Sequence, residues 1–450
     1  MSASNREFDA DVAVIGAGPA GIAAATRAAE AGARVVIVDE SPNVGGQIWR
    51  HRPGAAAPTG AIRWLARLER SGARVLAEST VFDLHRDDRD GFVVAFERAG
   101  APGELRARAL VLATGARERF LPFPGWTIPG VIGVGGAQAL LKAGASVRGK
   151  TIVIAGSGPL LLPVAASLVH AGAHLALVAE QAPARRVASF AVGLWRRPAA
   201  LRDAVRYRAG FLRVPYRLGE WVTEARGASV LTSVVMTDGR SSRAIPCDLL
   251  CVGFGLVPNT ELPRHVGCSI ADGVVRVDDR QATSVQGVFC AGEPTGIGGV
   301  DLALVEGEIA GLCAAEQGGA ASSPLRARRA RLRRLAAEMD RAFALRDELR
   351  RLPTAETIVC RCEDVAYGAL YRDWSPRQAK LYARAGMGAC QGRVCGPALE
   401  FLLGWDGDAV IRAPVTPTLL GAMCGREGDA PSVARVPSQP GNRNAPMRDE

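Results

Sequence analysis

Four cysteines close to the C-terminal end carry the most pointed chemistry in this 450-residue chain: Cys360, Cys362, Cys390 and Cys395. They read C-R-C, a gap, then C-Q-G-R-V-C. Cys360 and Cys362 share a short loop, so both sulfurs can face one point. Cys390 and Cys395 share a second loop around Gly392. Four thiolates are the ligand set of a [2Fe–2S] cluster. Zinc also takes four thiolates, but its knuckles use cysteine pairs with more residues between them. Free thiols are the third reading. Cys247, Cys251, Cys268, Cys290, Cys313 and Cys424 have no such grouping and read as core or incidental residues.

A second chemistry opens the chain. Gly16-Ala17-Gly18-Pro19-Ala20-Gly21 follows a buried strand, Asp11 to Ile15, and begins an Ala-rich helix. Gly16 permits the tight turn, Gly18 lets backbone approach a pyrophosphate, and Gly21 lets helix and strand pack closely. The helix N-terminus offers N–H groups and partial positive charge to phosphate. Asp39 ends the next strand, 18 residues after Gly21, placed for a ribose; Glu40 is the adjacent alternative. Gly45-Gly46-Gln47 then supplies a turn for a second phosphate or the flavin-bearing half.

The positioning elements repeat. Strand Thr151–Ile154 leads into Gly156-Ser157-Gly158-Pro159-Leu160-Leu161, a helix and the strand Leu175–Val178. Two such βαβ units imply two nucleotide-binding domains. The second unit departs from the pattern. Leu161 stands where helix and strand should nearly touch, and equal spacing puts Ala179 in the place of Asp39, with Glu180 one residue late. These departures count against NAD(P)H, while Arg185 and Arg186 could meet a 2′-phosphate or be surface charge. No cysteine pair lies near Gly46, which argues against a disulfide reductase.

Net charge is +10, and ten arginines against four acids lie between Pro324 and Pro353. Leu332, Leu335, Met339, Ala342, Leu345, Leu349 and Leu352 recur there at helical spacing, predicting an amphipathic helix over 324–353. Its basic side reads as a solvated face, or as a surface for a partner or an anionic membrane. No recognition motif accompanies the charge, so nucleic acid is not expected. The N-terminus has no apolar signal core, and Gly and Pro interrupt the uncharged stretch Thr151–Ala179. The reading is a cytoplasmic protein with reduced thiols and no transmembrane segment.

GAGPAG, the acid, GGQ, Ala113-Thr114-Gly115 and Ala291-Gly292-Glu293 resemble the flavoproteins with two dinucleotide-binding domains. The resemblance implies FAD, with the late acid (Glu293, where Asp is usual) on the ribityl chain and backbone near Val81 at the adenine. CRCEDV and AGMGACQGRVC resemble the bacterioferritin-associated-ferredoxin-like (BFD-like) [2Fe–2S] module, in the wider-spaced variant fused to dehydrogenase subunits. The expected fold is α/β: two Rossmann-like domains of the glutathione-reductase type plus this small C-terminal module. The expected boundaries are 1–120 with 265–320 for the FAD-binding domain and 121–264 for the degenerate second domain. The module spans 357–404, and a disordered tail spans 425–450.

Residues Asp11 to about Cys395 carry these motifs, with ATGARERFLPFPGWTIPGVIGVGGAQALLKAG and GEPTGIGGVDLALVEGEIAG, in one order. This resembles the FAD- and Fe–S-bearing subunit of heteromeric opine and amino-acid dehydrogenases. That group includes opine oxidase, hydrogen cyanide synthase and dye-linked proline or hydroxyproline dehydrogenases. The resemblance implies a D-amino-acid-oxidase-like flavoprotein β subunit, room for a small γ subunit, and a quinone or similar acceptor. It also allows FMN at a subunit interface, as in sarcosine oxidase, and peripheral contact with the inner face of the membrane.

The residues themselves show no constellation for substrate chemistry. His51, His85, His170, His174 and His265 lack a carboxylate or thiol companion in sequence and read as structural or exposed. Two other readings stand beside the complex: a self-contained NAD(P)H-dependent reductase, which needs a working second site, and a scaffold whose second domain only binds a partner.

Overall fold

The computed structural model describes residues 9–51, 57–88, 90–195, 197–316, 322–405 and 411–424. The first sheet has seven strands. Their order is Arg74–Leu76, Val35–Val38, Ala10–Ile15, Ala101–Leu112, Phe92–Arg98 and Ser79–Arg86, with Val288–Cys290 also paired to Ala101–Leu112. The opening strand is parallel to both neighbours, in register Val12↔Val35 and Val12↔Ala109. Helices Pro19–Glu30 and Val300–Ala314 cover one face. A Cβ on Gly307 or Gly311 would collide with the carbonyl oxygens of Ala20 and Ala24, so only glycine lets these helices lie this close.

The second sheet is parallel, in the order Tyr216–Leu218, His174–Glu180, Thr151–Gly156, Leu249–Gly253 and Val131–Gly133. An antiparallel layer of Trp221–Arg226, Ser233–Thr237 and Ser242–Pro246 packs beside it. The chain crosses between domains on Ala116–Glu118 and Leu256–Pro258, which pair antiparallel. The return crossing thus precedes the expected 264/265 boundary. The helix Glu261–His265 already packs on the first domain, where Leu262 joins the core beneath Leu84 and His265 Nε2 meets Asp83 Oδ1 at 2.7 Å.

The Arg-rich helix is shorter than expected. It spans Ser323–Ala342, and a 3-10 turn follows at Asp347–Arg351. The break has a partner distant in sequence: the carbonyls of Phe343 and Ala344 accept from Ser157 and Gln181 of the second domain. They are thereby held to the second domain where a continuing helix would use them for its own ladder.

The cysteine module has its own core of Val359, Leu370, Leu399, Leu402 and Trp405. Strands Ile358–Cys360 and Val365–Ala366 pair, and helices Pro376–Ala383 and Cys395–Leu403 pack on them. A strap then returns to the first domain. Val415 N donates to Phe82 O at 2.7 Å, and Leu419 N to Glu97 at 2.9 Å. The tail expected over 425–450 lies outside the described residues. Among the described residues no helix is long and apolar enough to cross a membrane.

Candidate functional site

The first glycine turn is built by exclusion. Gly16 has φ +103°, and a Cβ there would strike Ala113 O; a Cβ on Gly21 would strike Gly16 O. A Cβ on Gly18 would meet nothing within 4 Å, so its backbone faces open space. The helix Pro19–Glu30 has no side-chain cap and no acid in its first turn. No side chain of the helix itself thus answers its first N–H groups, as an anion site requires. Gly46 folds over Gly18, where a Cβ would lie 2.9 Å from Gly18 Cα, and Gly45 N donates to Ala17 O at 2.8 Å.

Asp39 is half-buried at the strand end. It accepts from Ala17 N at 2.5 Å and Ser41 N at 2.7 Å. Glu40 and Gln47 are exposed. Thr114 Oγ1 donates to Asn259 O at 2.6 Å, and Asn259 Nδ2 donates to Thr114 O at 2.8 Å, which locks the Ala113–Gly115 turn. Val81 is buried, and its carbonyl accepts from Thr416 Oγ1 at 2.9 Å, so the strap already uses that backbone group. Gly292 has φ +79° and a Cβ there would sit 2.8 Å from Ala20 Cβ, so the late turn abuts the first helix. Glu293 accepts from Gly298 N and Gly299 N at 3.1 and 3.2 Å; burial raises its pKa against those two bonds.

The second glycine turn differs. Gly158 has φ +99° and the helix starts only at Leu161, two residues later than Pro19 would indicate by analogy with Pro159. Leu161 is buried among Val134, Ile154 and Cys251. The acid needs a correction. A register shift between Leu175 and Leu177 adds a residue to that strand, so Gly156 pairs with Glu180 rather than with Ala179. In the first domain the ladder Ile15↔Val38 continues to Gly16 N on Val38 O, which sets Gly16 opposite Asp39. Glu180 is therefore the counterpart of Asp39. It is fully buried and accepts from Gly158 N at 2.7 Å and Ala182 N at 2.8 Å. Burial pushes its pKa up to about 7.

The four cysteines line one cavity of about 220 Å³ with Phe120, Trp126, Arg361 and Val394. Cys360 and Cys395 are buried, Cys390 is half-buried and Cys362 is exposed. All four side chains therefore share one small space, although they come from two separate loops. A side chain on Gly388 would collide with Cys362 Cβ, and one on Gly386 would lie 3.9 Å from Cys395 Sγ. Among the described residues no three His, Cys, Asp or Glu side chains converge as a ready single-ion site.

Arg117, on the first crossing strand, joins the two regions. Its Nε donates to Arg393 O, between Cys390 and Cys395, at 2.9 Å, and its Nη1 to Asn259 Oδ1 at 2.7 Å. The sequence reading did not single out Arg117, nor Glu306. Glu306 is fully buried and accepts from Gly292 N, Thr295 Oγ1, Arg329 and Arg333. Its signal was an acid inside the apolar run LALVEGEIAG. The arginines are thus not only a solvated face: Arg326 also pairs with Asp279, and Arg350 lies over the Phe401 ring. Folding also supplies companions to two histidines, since His265 and His85 both face Asp83.

The family model for pyridine nucleotide-disulphide oxidoreductases matches residues 10–311. The opine oxidase A-type subunit of Rhizobium meliloti is 31% identical, over 93% of this chain and 88% of its own. The hydrogen cyanide synthase subunit HcnB of Pseudomonas aeruginosa is 33% identical, over 85% of this chain and 90% of its own. The solved structure of L-proline dehydrogenase from P. horikoshii shares the fold, with a TM-score of 0.64 at 18% identity, over 92% of this chain and 79% of that one. With its glycine turns and these similarities, the chain belongs to the pyridine nucleotide-disulphide oxidoreductase family and, within it, to the flavin-type oxidoreductase subunits represented by the A-type subunit of opine oxidase.

Proposed function

We propose that this chain is the electron-carrying subunit of a heteromeric dehydrogenase that oxidises a secondary amine or amino acid of the opine or proline type. A D-amino-acid-oxidase-like partner takes hydride from the C–H beside the amine, leaving an imine, and this subunit delivers the two electrons to a quinone or similar acceptor. The subunit names of its relatives support a heteromeric assembly. A relative among sarcosine oxidase α subunits, 28% identical over 69% of this chain and 33% of its own, also supports a subunit role; the proposal keeps room for an FMN between subunits. The reading places the complex in the cytoplasm, with delivery at the inner membrane face.

FAD would supply two-electron uptake with one-electron release, and a [2Fe–2S] cluster would supply one-electron transfer. The first glycine turn fits a pyrophosphate: Gly18 faces open space beside an uncapped helix N-terminus, and Asp39 is half-exposed at the strand end. The cysteines fit two irons better than one zinc, because four thiolates line one cavity and the C-x-C spacing of Cys360 and Cys362 leaves little room for the tetrahedral wrapping of a zinc knuckle. Cys360, Cys362, Cys390 and Cys395 would hold the cluster, with Gly388 keeping a side chain away from Cys362.

The observation that carries this reading is the four-thiol cavity beside a loop that Arg117 ties to the Thr114–Asn259 lock. The test uses the chain purified alone and anaerobically, with flavin and iron assayed before NADH or NADPH is added. Flavin and iron present together, without bleaching of visible absorbance, is the expected result. Bleaching within seconds would make the chain a pyridine-nucleotide reductase and overturn the proposal. Chain prepared with flavin but no iron would remove the cluster from it.

A further inference from the structure

We infer that the second nucleotide-binding fold takes a segment of its own chain, Phe343–Arg346, as the occupant of its crevice, and serves as the mount that positions the cysteine module. This rests on contacts within the second domain and does not depend on the cluster or the partner subunit.

Dinucleotides bind at the carboxyl ends of the strands, with pyrophosphate at the turn after the first strand and ribose at the end of the second. The segment touches both landmarks. Ser157, the middle residue of the Gly156-Ser157-Gly158 turn, donates from Oγ to Phe343 O at 2.7 Å. Gln181 follows the buried acid Glu180. Its amide Nε2 donates to Ser157 Oγ at 2.9 Å and to Ala344 O at 3.3 Å, and its Oε1 accepts from Arg346 N at 3.1 Å. Gln181 and Glu180 are both fully buried beneath this segment and its neighbours.

Side chains complete the closure. The Arg346 guanidinium lies 3.7 Å above the Trp221 ring and donates to Gly219 O at 3.3 Å. Phe343 packs edge-on against Phe190 at 5.5 Å. The Ser157 hydroxyl and the Gln181 amide are therefore already engaged by this segment, while Gly158 N is taken by Glu180 and Ser157 N by Gly253 O, at the distances of ordinary hydrogen bonds. The late helix start at Leu161 agrees, because it withdraws the N–H groups that would face a pyrophosphate.

The consequence lies downstream. Leu349 and Leu352 enter the second-domain core with Trp221 and Val222, and partly buried Val394 and Phe401 of the cysteine module pack on the same cluster. Anchoring Phe343–Arg346 thus fixes where the chain enters the module. Ser157, Gln181 and Arg346 are positioning residues in this sense, and the same contacts keep NADH and NADPH out.

Hydrogen–deuterium exchange on the whole chain tests this, with and without NADH or NADPH at about 1 mM, the top of the usual range for such ligands. In wild type, amides of 156–161 and 343–352 should be protected equally with and without either dinucleotide. Dinucleotide-dependent protection of 156–161, or exchange of 343–352 at the rate of an open loop, would overturn the inference. The paired change Gln181→Ala with Arg346→Ala removes several hydrogen bonds and should speed exchange of 343–352 by ~10-fold or more, with flavin content kept. Unchanged exchange would count against the mount. If that variant does not fold, the wild-type measurement still decides.

Discussion

Arg117 Nε donates to the carbonyl of Arg393 at 2.9 Å, so a residue two positions after Gly115 holds the loop between Cys390 and Cys395. The same guanidinium reaches Asn259 at 2.7 Å and Glu261 at 2.9 Å. Asn259 is locked to Thr114 by reciprocal bonds. One planar side chain therefore sets the thiolate loop against the dinucleotide turn. A fork of fixed geometry suits this, and an ammonium does not replace it.

Arg117→Met should keep most of the packing yet lose these charge-assisted bonds, at a cost of about 2–3 kcal/mol. The Cys390 loop should loosen first, so the iron-to-flavin ratio after gel filtration should fall. Arg117→Lys should restore only part of it. Equal loss of iron and flavin would show that Arg117 supports the fold in general and not this loop.

Gly16 and Gly18 separate folding from binding. Gly16 combines φ +103° with a collision at Ala113 O, so Gly16→Ala should destabilise the flavin-free chain by about 1–3 kcal/mol. Gly18 has extended backbone and an empty Cβ position. Gly18→Ala should leave the flavin-free melt within about 0.5 kcal/mol of wild type. Its methyl group would fill the open space beside the turn, which the proposed function gives to pyrophosphate, so bound flavin should drop sharply. Thermal melts of stripped protein beside flavin content as purified would check both. Full flavin retention in Gly18→Ala would remove this turn from the binding site.

What could be read from the sequence was what sterics force into local patterns. The glycines at 16, 18 and 21 declare a turn because no other residue fits two of those three positions. The cysteines at 360, 362, 390 and 395 declare a shared cavity because their spacing is local within each loop. Long-range facts left no such trace. The register shift at Leu175/Leu177 moved the second acid from Ala179 to Glu180, and a count of residues cannot see it. The Arg-rich segment gave helical periodicity through Leu352, yet its helix ends at Ala342 because Ser157 and Gln181, far away in the chain, take its carbonyls. The strap on Val81 and Phe82 is irregular backbone without periodic signal.

Glu306 shows how the arginine helix is attached. Its carboxylate has no exposure and meets Arg333 at 2.6 Å and Arg329 at 3.2 Å, besides Gly292 N and Thr295 Oγ1. Arg329 still faces the carboxylate after Arg333 is removed, so Arg333→Ala should cost about 1.5–3 kcal/mol, the range for a lost hydrogen bond to a charged group. Glu306→Leu with Arg333→Met should recover much of that loss, since an apolar pair avoids desolvation. Denaturant melts of the two variants check this. A double variant no more stable than Arg333→Ala would mean that the Gly292 N and Thr295 bonds, not the ion pair, carry the site.

Glu180 gives a pH dependence with a definite sign. Burial is the dominant influence and raises its pKa from 4.5 to about 7, against the Ala182 and Gly158 amides that favour the anion. The folded state therefore holds this proton more tightly than the unfolded chain. Its contribution to stability is whole below pH 4.5 and is lost as pH rises through about 7, amounting to roughly 3 kcal/mol across that window. Glu180→Gln, neutral at every pH, should flatten this component. Denaturant melts from pH 5 to 8 should then show wild type losing stability relative to Glu180→Gln as pH rises. Parallel curves for the two proteins would mean that Glu180 does not titrate in this range. The Gly158 and Ala182 amides would then suffice to hold it as the anion throughout.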